Sequence, residues 1–404
     1  MPAQDPNPDL LGSRLASARK ARDITQQAAA EALGCSRPTL IAIEKGTRRA
    51  KAEEIVTLAR LYGRSVHELV RPGEPTADLQ PHLRAVAQRM EADDGQLIEA
   101  IASLQRFAED YAELERIAKM PLKLNYPPEV ALPARIDPAV LAEDVAAGER
   151  QRLGLGDRPI INLRDVLESE VGLRIIYEDL PSPIAGMFAY AGELGGVIAV
   201  NRKHPPKKRR ASMLHEYGHL IVERYKPGID YLSYRGRKPA GERFAEAFAM
   251  AFLMPATSVR RRFNEVVSTS NDFTIADLCR LAHFFFVSLE AMTLRLESLR
   301  LIPRGTREHL KESNFKVGRA AEMLELSQHP ASAERFPRRY RFLAASAYDR
   351  GELSEGQLAR LLRCDRVSAR EIVADCLTTT FVSDDGQVQH TQIDPASSML
   401  SGQS

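Results

Sequence analysis

The sequence predicts a multidomain, mainly α-helical protein with a small α+β domain near its centre. Three observations along the 404 residues support this fold class. Two short capped helices follow each other near the amino terminus, strand-like runs precede an apolar helix in the centre, and helical spacing returns toward the carboxyl terminus. This length predicts two to three domains, and 44% hydrophobic residues suffice for buried cores.

The first region, residues 9–71, contains two short helices joined by a tight turn. Thr25 is placed to cap the first helix, and Ser36 to cap the second, which follows Gly34 and ends at Gly46. Two short helices joined by a turn with glycine form a helix-turn-helix, whose second helix enters the major groove of DNA. The region is therefore predicted to be an all-α DNA-binding domain.

The same region resembles the XRE/Cro-type helix-turn-helix family. The matching residues are Gln27, Ala30, Leu33-Gly34, Ser36, Thr39 and Ile43-Glu44-Lys45-Gly46. Polar side chains at the exposed helix ends suit contacts with phosphates and base edges. DNA contact is predicted for Gln26, Gln27, Ser36, Arg37 and Thr39.

The charge of this region agrees with DNA binding. Residues 1–71 contain 12 Lys/Arg against 8 Asp/Glu, which makes them mildly basic. Proteins of this type pair to meet two half-sites about 34 Å apart, so we expect a homodimer on double-stranded operator DNA. The alternative is a helical interaction bundle that kept the fold without contacting DNA.

An H-E-x-x-H pentapeptide at residues 215–219 is the strongest chemical motif of the chain. Because residues four apart share a helix face, His215 and His219 can direct their imidazoles at one metal ion. Glu216 can then act as a general base toward a water molecule at that ion. The flanking residues are apolar, which indicates a buried helix. Buried polar and charged side chains such as these require a compensating partner.

A second helix that carries two carboxylates follows over residues 241–255. Glu242 is the predicted third ligand, because two histidines and one glutamate leave the fourth position of Zn²⁺ open for water. Glu246, one turn later, is predicted to orient a ligand histidine. The swapped assignment of these two carboxylates stays open, and so does a role for Glu242 in the helix dipole alone.

Residues 160–255 resemble the ImmA/IrrE metallopeptidase family, a gluzincin-like group. The match runs through residues 172–177, 184–188 and 196–201, the H-E-x-x-H helix and the closing Phe252-Leu253-Met254-Pro255. One departure is Ala245-Glu246, where the family often has Ala-Asn. The resemblance implies a zincin-like domain, placed at 134–300, and relatives that cleave a partner repressor in response to stress or DNA damage.

Three strand-like runs precede the motif, over residues 173–177, 187–190 and 197–200. A small sheet at this place offers an edge to which a peptide substrate could add as a further strand. The next segment, 201–210, holds six basic residues and is predicted to be a solvated loop that starts the following helix. Attraction of an acidic partner or of DNA is the alternative for this segment.

His283 is the candidate for a further catalytic group in the central domain. It lies on an aromatic-rich helix, where it could stabilise the oxyanion of a tetrahedral intermediate. The alternative is a histidine that belongs to the core, as the adjacent Phe284, Phe285 and Phe286 are predicted to do.

The remaining segments are a leader over 1–8, a helical spacer or linker over 72–133, a helical domain over 301–377 and a disordered tail over 378–404. The spacer could instead be a dimerisation helix. Within the helical domain, Ser354 and Asp365 are placed to cap two helices of a second helix-turn-helix. We expect this second pair of helices to recognise a protein or to complete the packing of the fold.

The composition and the positions of the cysteines indicate the cellular compartment. A net charge of +2 is too small for binding of polyanions by the whole chain, so any DNA contact must be local. The four cysteines lie far apart without C-x-x-C pairing, which favours a reducing cytoplasm. The chain shows neither a signal peptide nor an apolar run near 18 residues, so we expect a cytoplasmic protein without membrane contact.

The sequence therefore predicts one of two functions. In the first, a DNA-binding transcriptional regulator carries a zinc-dependent endopeptidase that cleaves a specific partner, such as a repressor, in a stress, DNA-damage or mobile-element response. In the second, a transcriptional regulator or antitoxin uses its peptidase-like domain only to bind a partner or toxin encoded nearby. Glu216 favours the first function, because a binding domain needs no base beside the metal.

Overall fold

The computed structural model describes residues 8–20, 22, 24–64, 66–70, 79–80, 83, 86–87, 95–192, 194–231, 238–312, 323–327, 334–382 and 388–392. The chain divides into two compact units, Met1–Ala85 and Val86–Ser404. Residues 72–78 of the predicted spacer, and the predicted leader except for Pro8, lie outside the described residues.

The first unit is a helical domain. Its helices are α1 (Pro8–Lys20), α2 (Gln26–Leu33), α3 (Arg37–Glu44), α4 (Ala52–Tyr62) and α5 (Val66–Val70). Thr25 caps α2 by accepting a hydrogen bond from the N–H of Ala28, and Ser36 caps α3 by accepting one from Thr39. Both predicted caps, and the turn at Gly34 between the two helices, are confirmed.

An apolar core and one buried ion pair hold the first unit together. Leu15, Leu40 and Leu58 are fully buried. The guanidinium of Arg19 binds the carboxylate of Glu44 at 2.6 Å, with side chains only 9% and 5% exposed. The pair joins α3 to α1, and removal of either partner alone would leave a buried charge without compensation.

The second unit consists of many helices around a small sheet. Its helices are α6 (Gly95–Ala118), α7 (Pro138–Arg152), α8 (Leu163–Val166, continued by a π-helical turn over Leu167–Val171), α9 (Pro206–Glu223), α10 (Ala240–Leu253), α11 (Ala256–Ser270), α12 (Ile275–Phe284), α13 (Leu289–Ser298), α14 (Thr306–Glu312), α15 (Arg338–Asp349), α16 (Glu355–Leu362) and α17 (Arg366–Leu377). Its strands are β1 (Arg174–Glu178), β2 (Ile184–Ala191), β3 (Gly195–Asn201), β4 (Gly228–Tyr231), β5 (Thr378–Val382) and β6 (Val388–Gln392).

Four of these strands form a mixed sheet in the order β1-β3-β2-β4. β1 runs parallel to β3, whereas β2 is antiparallel to both β3 and β4. The three predicted strands are confirmed as β1, β2 and β3. Strand β4 was not predicted, because its four residues Gly-Ile-Asp-Tyr contain too short an alternation to stand out.

Helix α9 packs between this sheet and α10. Leu214, Tyr217 and Leu220 are fully buried and belong to the main core, together with Phe248 of α10. The start of α9 corrects one prediction: within the basic segment 201–210, Arg209 and Arg210 are buried rather than solvated. They are buried because α9 already begins at Pro206 and turns them toward the interior.

The region predicted to be a spacer, 72–133, contributes to the interior of the second unit. On α6, Phe107 and Tyr111 are fully buried, and both rings pack against Tyr340 of α15. Phe107 also contacts Phe336. The central and carboxyl-terminal regions therefore share one packed structure that includes α6, where the sequence suggested separate segments.

The carboxyl-terminal helices follow the predicted capping pattern. Ser354 caps α16 by accepting from the N–H of Gln357, and Asp365 caps α17 by accepting from Val367 and Ser368. The disordered tail predicted over 378–404 is corrected for Thr378–Val382 and Val388–Gln392, since these segments form an antiparallel hairpin, and the other residues of that range lie outside the described residues. β-Branched residues such as Thr378 favour that extended backbone.

Two further observations concern the cysteines and the membrane. All four cysteines are free thiols, as the absence of C-x-x-C pairing predicted. Within the part of the chain that the structure describes, no helix combines the length and the apolar character needed to cross a bilayer.

Candidate metal centre and nucleic-acid interface

The two histidines of the H-E-x-x-H motif meet a carboxylate from α10. The Nε2 atoms of His215 and His219 lie 3.1 Å apart. The carboxylate of Glu242 lies 3.3 Å from Nε2 of His215 and 3.5 Å from Nε2 of His219. Among the described residues, these three form a group whose ligand atoms all lie within 4.8 Å of one another.

This geometry fits a zinc ion. Tetrahedral zinc with bonds of about 2.0–2.2 Å places its ligand atoms roughly 3.3 Å apart. The imidazole nitrogens are 3.1 Å apart, and each lies 3.3 or 3.5 Å from a different oxygen of the Glu242 carboxylate, so the separations are close to that value. Two imidazoles and one carboxylate are also the ligand set of catalytic zinc sites that leave a fourth position open.

Charge interactions link the two histidines to the neighbouring carboxylates. Burial alone would raise the pKa of Glu242, but its contacts with both histidines hold this pKa well below its usual range. Burial alone would lower the pKa of His219, but hydrogen bonds to Glu223 and Glu242 raise it to about 10.

Helices α9 and α10 approach closely because the motif contains glycine at position 218. A Cβ atom on Gly218 would lie 2.8 Å from the Cα atom of Ala245, a separation that side chains do not tolerate. This close approach brings Glu242, one turn before Ala245, within reach of the histidines.

Gly218→Ala is therefore expected to destabilise the second unit by about 1–3 kcal/mol through overpacking. It should also weaken metal binding, because it pushes Glu242 away from His215 and His219. Thermal unfolding and metal titration would measure the two effects. Gly148→Ala on α7 is the control, since the added Cβ would meet nothing within 4 Å beyond its chain neighbours and its own helix backbone, and alanine is favoured in a helix. Equal unfolding temperatures for the two variants would contradict the packing argument.

Glu216 is enclosed next to the metal ligands. Its side chain has no exposed surface, and neither carboxylate oxygen has a hydrogen-bond partner among the described residues. Strand β2 leaves room for it, because a Cβ on Gly186 would lie 2.6 Å from Oε1 of Glu216. Burial, with a further contribution from the charge of Asp230, raises the pKa of Glu216 well above its usual value.

Two acidic residues that the sequence analysis did not single out complete this environment. The carboxylate of Glu223 lies 3.3 Å from Nδ1 of His219, opposite the nitrogen that faces Glu242. The carboxylate of Asp230, on β4, lies 3.9 Å from Nε2 of His215. The four-residue spacing of His219 and Glu223 could have predicted their contact on one helix face. The position of Asp230 depends on the pairing of β4 with β2, which the sequence pattern does not show.

The other two predicted residues have different surroundings. Glu246, predicted to orient a ligand histidine, forms an ion pair with Lys238, and its side chain is 47% exposed. The contact with a histidine Nδ1 comes from Glu223 instead. Nε2 of His283 lies 2.6 Å from the backbone oxygen of Ser327, so this nitrogen contacts the backbone.

The five residues predicted to contact DNA all lie on α2, α3 and the cap between them. Gln27, Ser36 and Arg37 are exposed, whereas Gln26 and Thr39 are partly buried. The amide of Gln26 donates a hydrogen bond of 3.0 Å to Glu44, so it also helps to anchor α3. Three of the five, Ser36, Arg37 and Thr39, thus lie at the start of α3.

Comparisons with known proteins match both parts of the chain. Residues 168–297 match the model of the IrrE N-terminal-like domain of peptidase family M78. Residues 15–69 match a helix-turn-helix model. The chain carries a helix-turn-helix domain and an IrrE-like domain. The IrrE-like domain includes α9 and α10, and therefore all three candidate ligands and Glu216.

Individual relatives cover less of the chain or give weaker support. The cryptic phage CTXphi transcriptional repressor RstR of Vibrio cholerae is 35% identical over 69 residues, which are 17% of this chain and 62% of that repressor. The crystal structure of ComR from Streptococcus suis is 12% identical, with 93% of this chain and 90% of that chain covered. Its TM-score of 0.16 is too low to support any conclusion about the fold.

Proposed function

We propose that this protein is a cytoplasmic, DNA-binding transcriptional regulator whose IrrE-like domain is a zinc-dependent endopeptidase. Its substrate would be one specific partner protein, such as a repressor. The observation that carries the proposal is the enclosed carboxylate of Glu216 beside the group formed by His215, His219 and Glu242. A purely structural metal site needs the three ligands but no carboxylate without a hydrogen-bond partner at its side.

The residues present have distinct chemical roles in this proposal. His215, His219 and Glu242 would hold zinc, which supplies a Lewis acid that polarises the scissile carbonyl and increases the acidity of water. Glu216 accepts a proton from the attacking water and returns it to the nitrogen of the leaving amine as the C–N bond breaks. Glu223 accepts a hydrogen bond from Nδ1 of His219 and keeps Nε2 directed at the site.

Strand β4 is the proposed platform for the substrate. It is an edge strand that pairs with β2 on one side and, among the described residues, with no strand on the other. It also carries Asp230, whose carboxylate lies 3.9 Å from His215. An extended peptide that adds to the open edge would therefore pass beside the metal ligands.

The helix-turn-helix domain would place the peptidase at an operator. Its match to a helix-turn-helix model and its similarity to the repressor RstR support DNA binding by this domain. We expect a homodimer, because such domains pair on two half-sites one helical turn apart.

Arg37→Ala is expected to weaken operator binding about 5- to 150-fold, the equivalent of 1–3 kcal/mol for one lost arginine contact. Arg37 is exposed in the first turn of α3, the helix expected in the major groove. Titration of labelled promoter DNA in an electrophoretic mobility shift assay measures the loss. Arg60→Ala, which removes an exposed arginine from α4, is the matched control. Equal weakening by both variants would mean that only the overall charge matters.

The proposed function is tested by incubating the full-length zinc-loaded protein with the repressor or toxin encoded beside its gene. Mass spectrometry of the mixture should reveal one specific cut that a chelator prevents. Stable co-purification of the intact partner, without any cut, would contradict the proposal and support a regulator or antitoxin that only binds.

A further inference from the structure

A cavity separate from the candidate metal ligands lies at the start of α9. It has a volume of about 470 Å³ and is bounded by Tyr177 of β1, the first turns of α9 and residues of α15 and α17. None of the candidate metal ligands lines it. Its volume lies within the range typical of small-molecule pockets.

The cavity wall carries more positive than negative charge. Its ionisable residues are Arg164, Arg209, Arg210, Arg338 and Arg341 against Asp165, Glu334 and Asp375. Glu334 and Asp375 lie 3.6 and 4.0 Å from Arg341, but their side chains are 56% and 77% exposed, so water screens their charge. Apolar walls from Met213, Phe286 and Phe336 complete the lining.

Two of the buried arginines serve the fold. Both terminal nitrogens of Arg210 donate to the backbone oxygens of Ile160 and Ile161. Those of Arg164 donate to backbone oxygens as well, including that of Ile175. These guanidiniums therefore have structural partners.

Arg209 differs from them. It is only 4% exposed, and its Nε and Nη1 atoms are buried without a hydrogen-bond partner among the described residues. Its guanidinium lies 4.5 Å from the ring centre of Tyr177, whose ring also stacks with Arg164 at 4.2 Å. A buried guanidinium with two unpaired nitrogens and no carboxylate in contact is costly even beside an aromatic ring, and a bound anion would offset that cost.

We propose that this cavity binds the phosphate monoester of a small organic molecule. The phosphate would meet Arg209, because the planar fork of an arginine matches phosphate oxygens, and Arg341 lies on the same wall. The cavity includes Pro206, the first residue of α9, so the positive end of that helix dipole adds to the attraction. The organic part would lie against Phe286 and Phe336.

Occupancy of the cavity has a structural consequence. A bound phosphate ester would join α15 to the start of α9, the helix that carries the H-E-x-x-H motif. The ligand would therefore be a signal molecule that acts on the position of α9. Binding itself does not depend on the proposed peptidase activity, so its test can fail or succeed independently of that activity.

Isothermal titration calorimetry on the full-length protein tests the site, with inorganic phosphate, adenosine 5′-monophosphate and uncharged adenosine as probes. We expect phosphate and the monophosphate to bind wild type, and adenosine not to bind. Arg209→Gln should weaken binding at least tenfold. Lys208→Gln, which removes the neighbouring positive charge outside the cavity, should leave it unchanged. Arg338→Gln, at an exposed lining position, should also weaken binding and should leave folding intact, because its side chain lies at the surface.

Either of two results would overturn the proposal: wild type that binds neither phosphate nor the monophosphate, or Arg209→Gln and Arg338→Gln that bind them as wild type does. A complementary measurement uses Arg209→Met in buffer without multivalent anions. If Arg209 serves to bind a ligand and does not stabilise the fold, the variant should unfold at the same or a higher temperature than wild type. A marked decrease would assign Arg209 to the fold and contradict a ligand site.

Discussion

Glu216→Gln is expected to reduce cleavage of the partner protein by about 10²–10⁴-fold while zinc binding persists. Glutamine has the shape of glutamate but cannot accept the proton of the attacking water or return it to the leaving amine. Metal binding should persist, because the ligand atoms come from His215, His219 and Glu242. The expected loss corresponds to roughly 3–5 kcal/mol of transition-state stabilisation.

Single-turnover cleavage and metal analysis on the same samples measure this prediction. Glu246→Gln is the matched control, because it makes the same change on an exposed carboxylate that pairs with Lys238. An unchanged cleavage rate in Glu216→Gln would show that another group is the base. Loss of zinc together with activity would show that Glu216 supports the metal site rather than proton transfer.

Glu242→Gln is expected to reduce zinc affinity by more than about 100-fold, beyond the 10- to 100-fold effect typical of residues that only support a ligand. The carboxylate of Glu242 lies 3.3 and 3.5 Å from the two histidine nitrogens and carries the negative charge that offsets the metal. An amide lacks that charge and binds zinc poorly.

Competition with a chromophoric chelator measures zinc affinity, and Glu246→Gln is again the comparison. The expected pattern is a large loss for Glu242→Gln and little change for Glu246→Gln. The reverse pattern would make Glu246 the third ligand, the assignment that the sequence alone had left open. Similar losses in both variants would indicate a general disturbance of α10.

Features that depend on nearby residues could be predicted from the sequence. The caps at Thr25, Ser36, Ser354 and Asp365 involve hydrogen bonds to residues two or three positions away, and all four are present. The four-residue spacing of the histidines likewise brings their nitrogens together on one face of α9.

Features that depend on distant residues could not be predicted. Asp230 reaches His215 only because β4 pairs with β2, opposite Gly186. Arg209 is buried because Tyr177 and the carboxyl-terminal helices enclose it, although its sequence neighbours suggest a solvated basic loop. Such contacts join segments that are far apart in the chain, so the local sequence pattern does not predict them.

The packing of α6 is a further example. Its apolar stripe predicted a buried face but not its neighbour, and both a spacer and a dimerisation helix were open. In the structure, the stripe around Phe107 and Tyr111 is covered by α15 of the same unit. An apolar helix face predicts that the face is buried, but the element that packs against it is determined by the tertiary fold.

Native mass spectrometry of the wild-type protein beside His215→Ala, after incubation with zinc and removal of the excess, tests the metal centre itself. We predict that wild type retains about one zinc ion per chain and that His215→Ala retains none, because a single tetrahedral site loses one of its three protein ligands. Retention of zinc by both proteins would place the metal elsewhere. Absence of zinc from both would contradict a metal centre at this site and the peptidase function proposed from it.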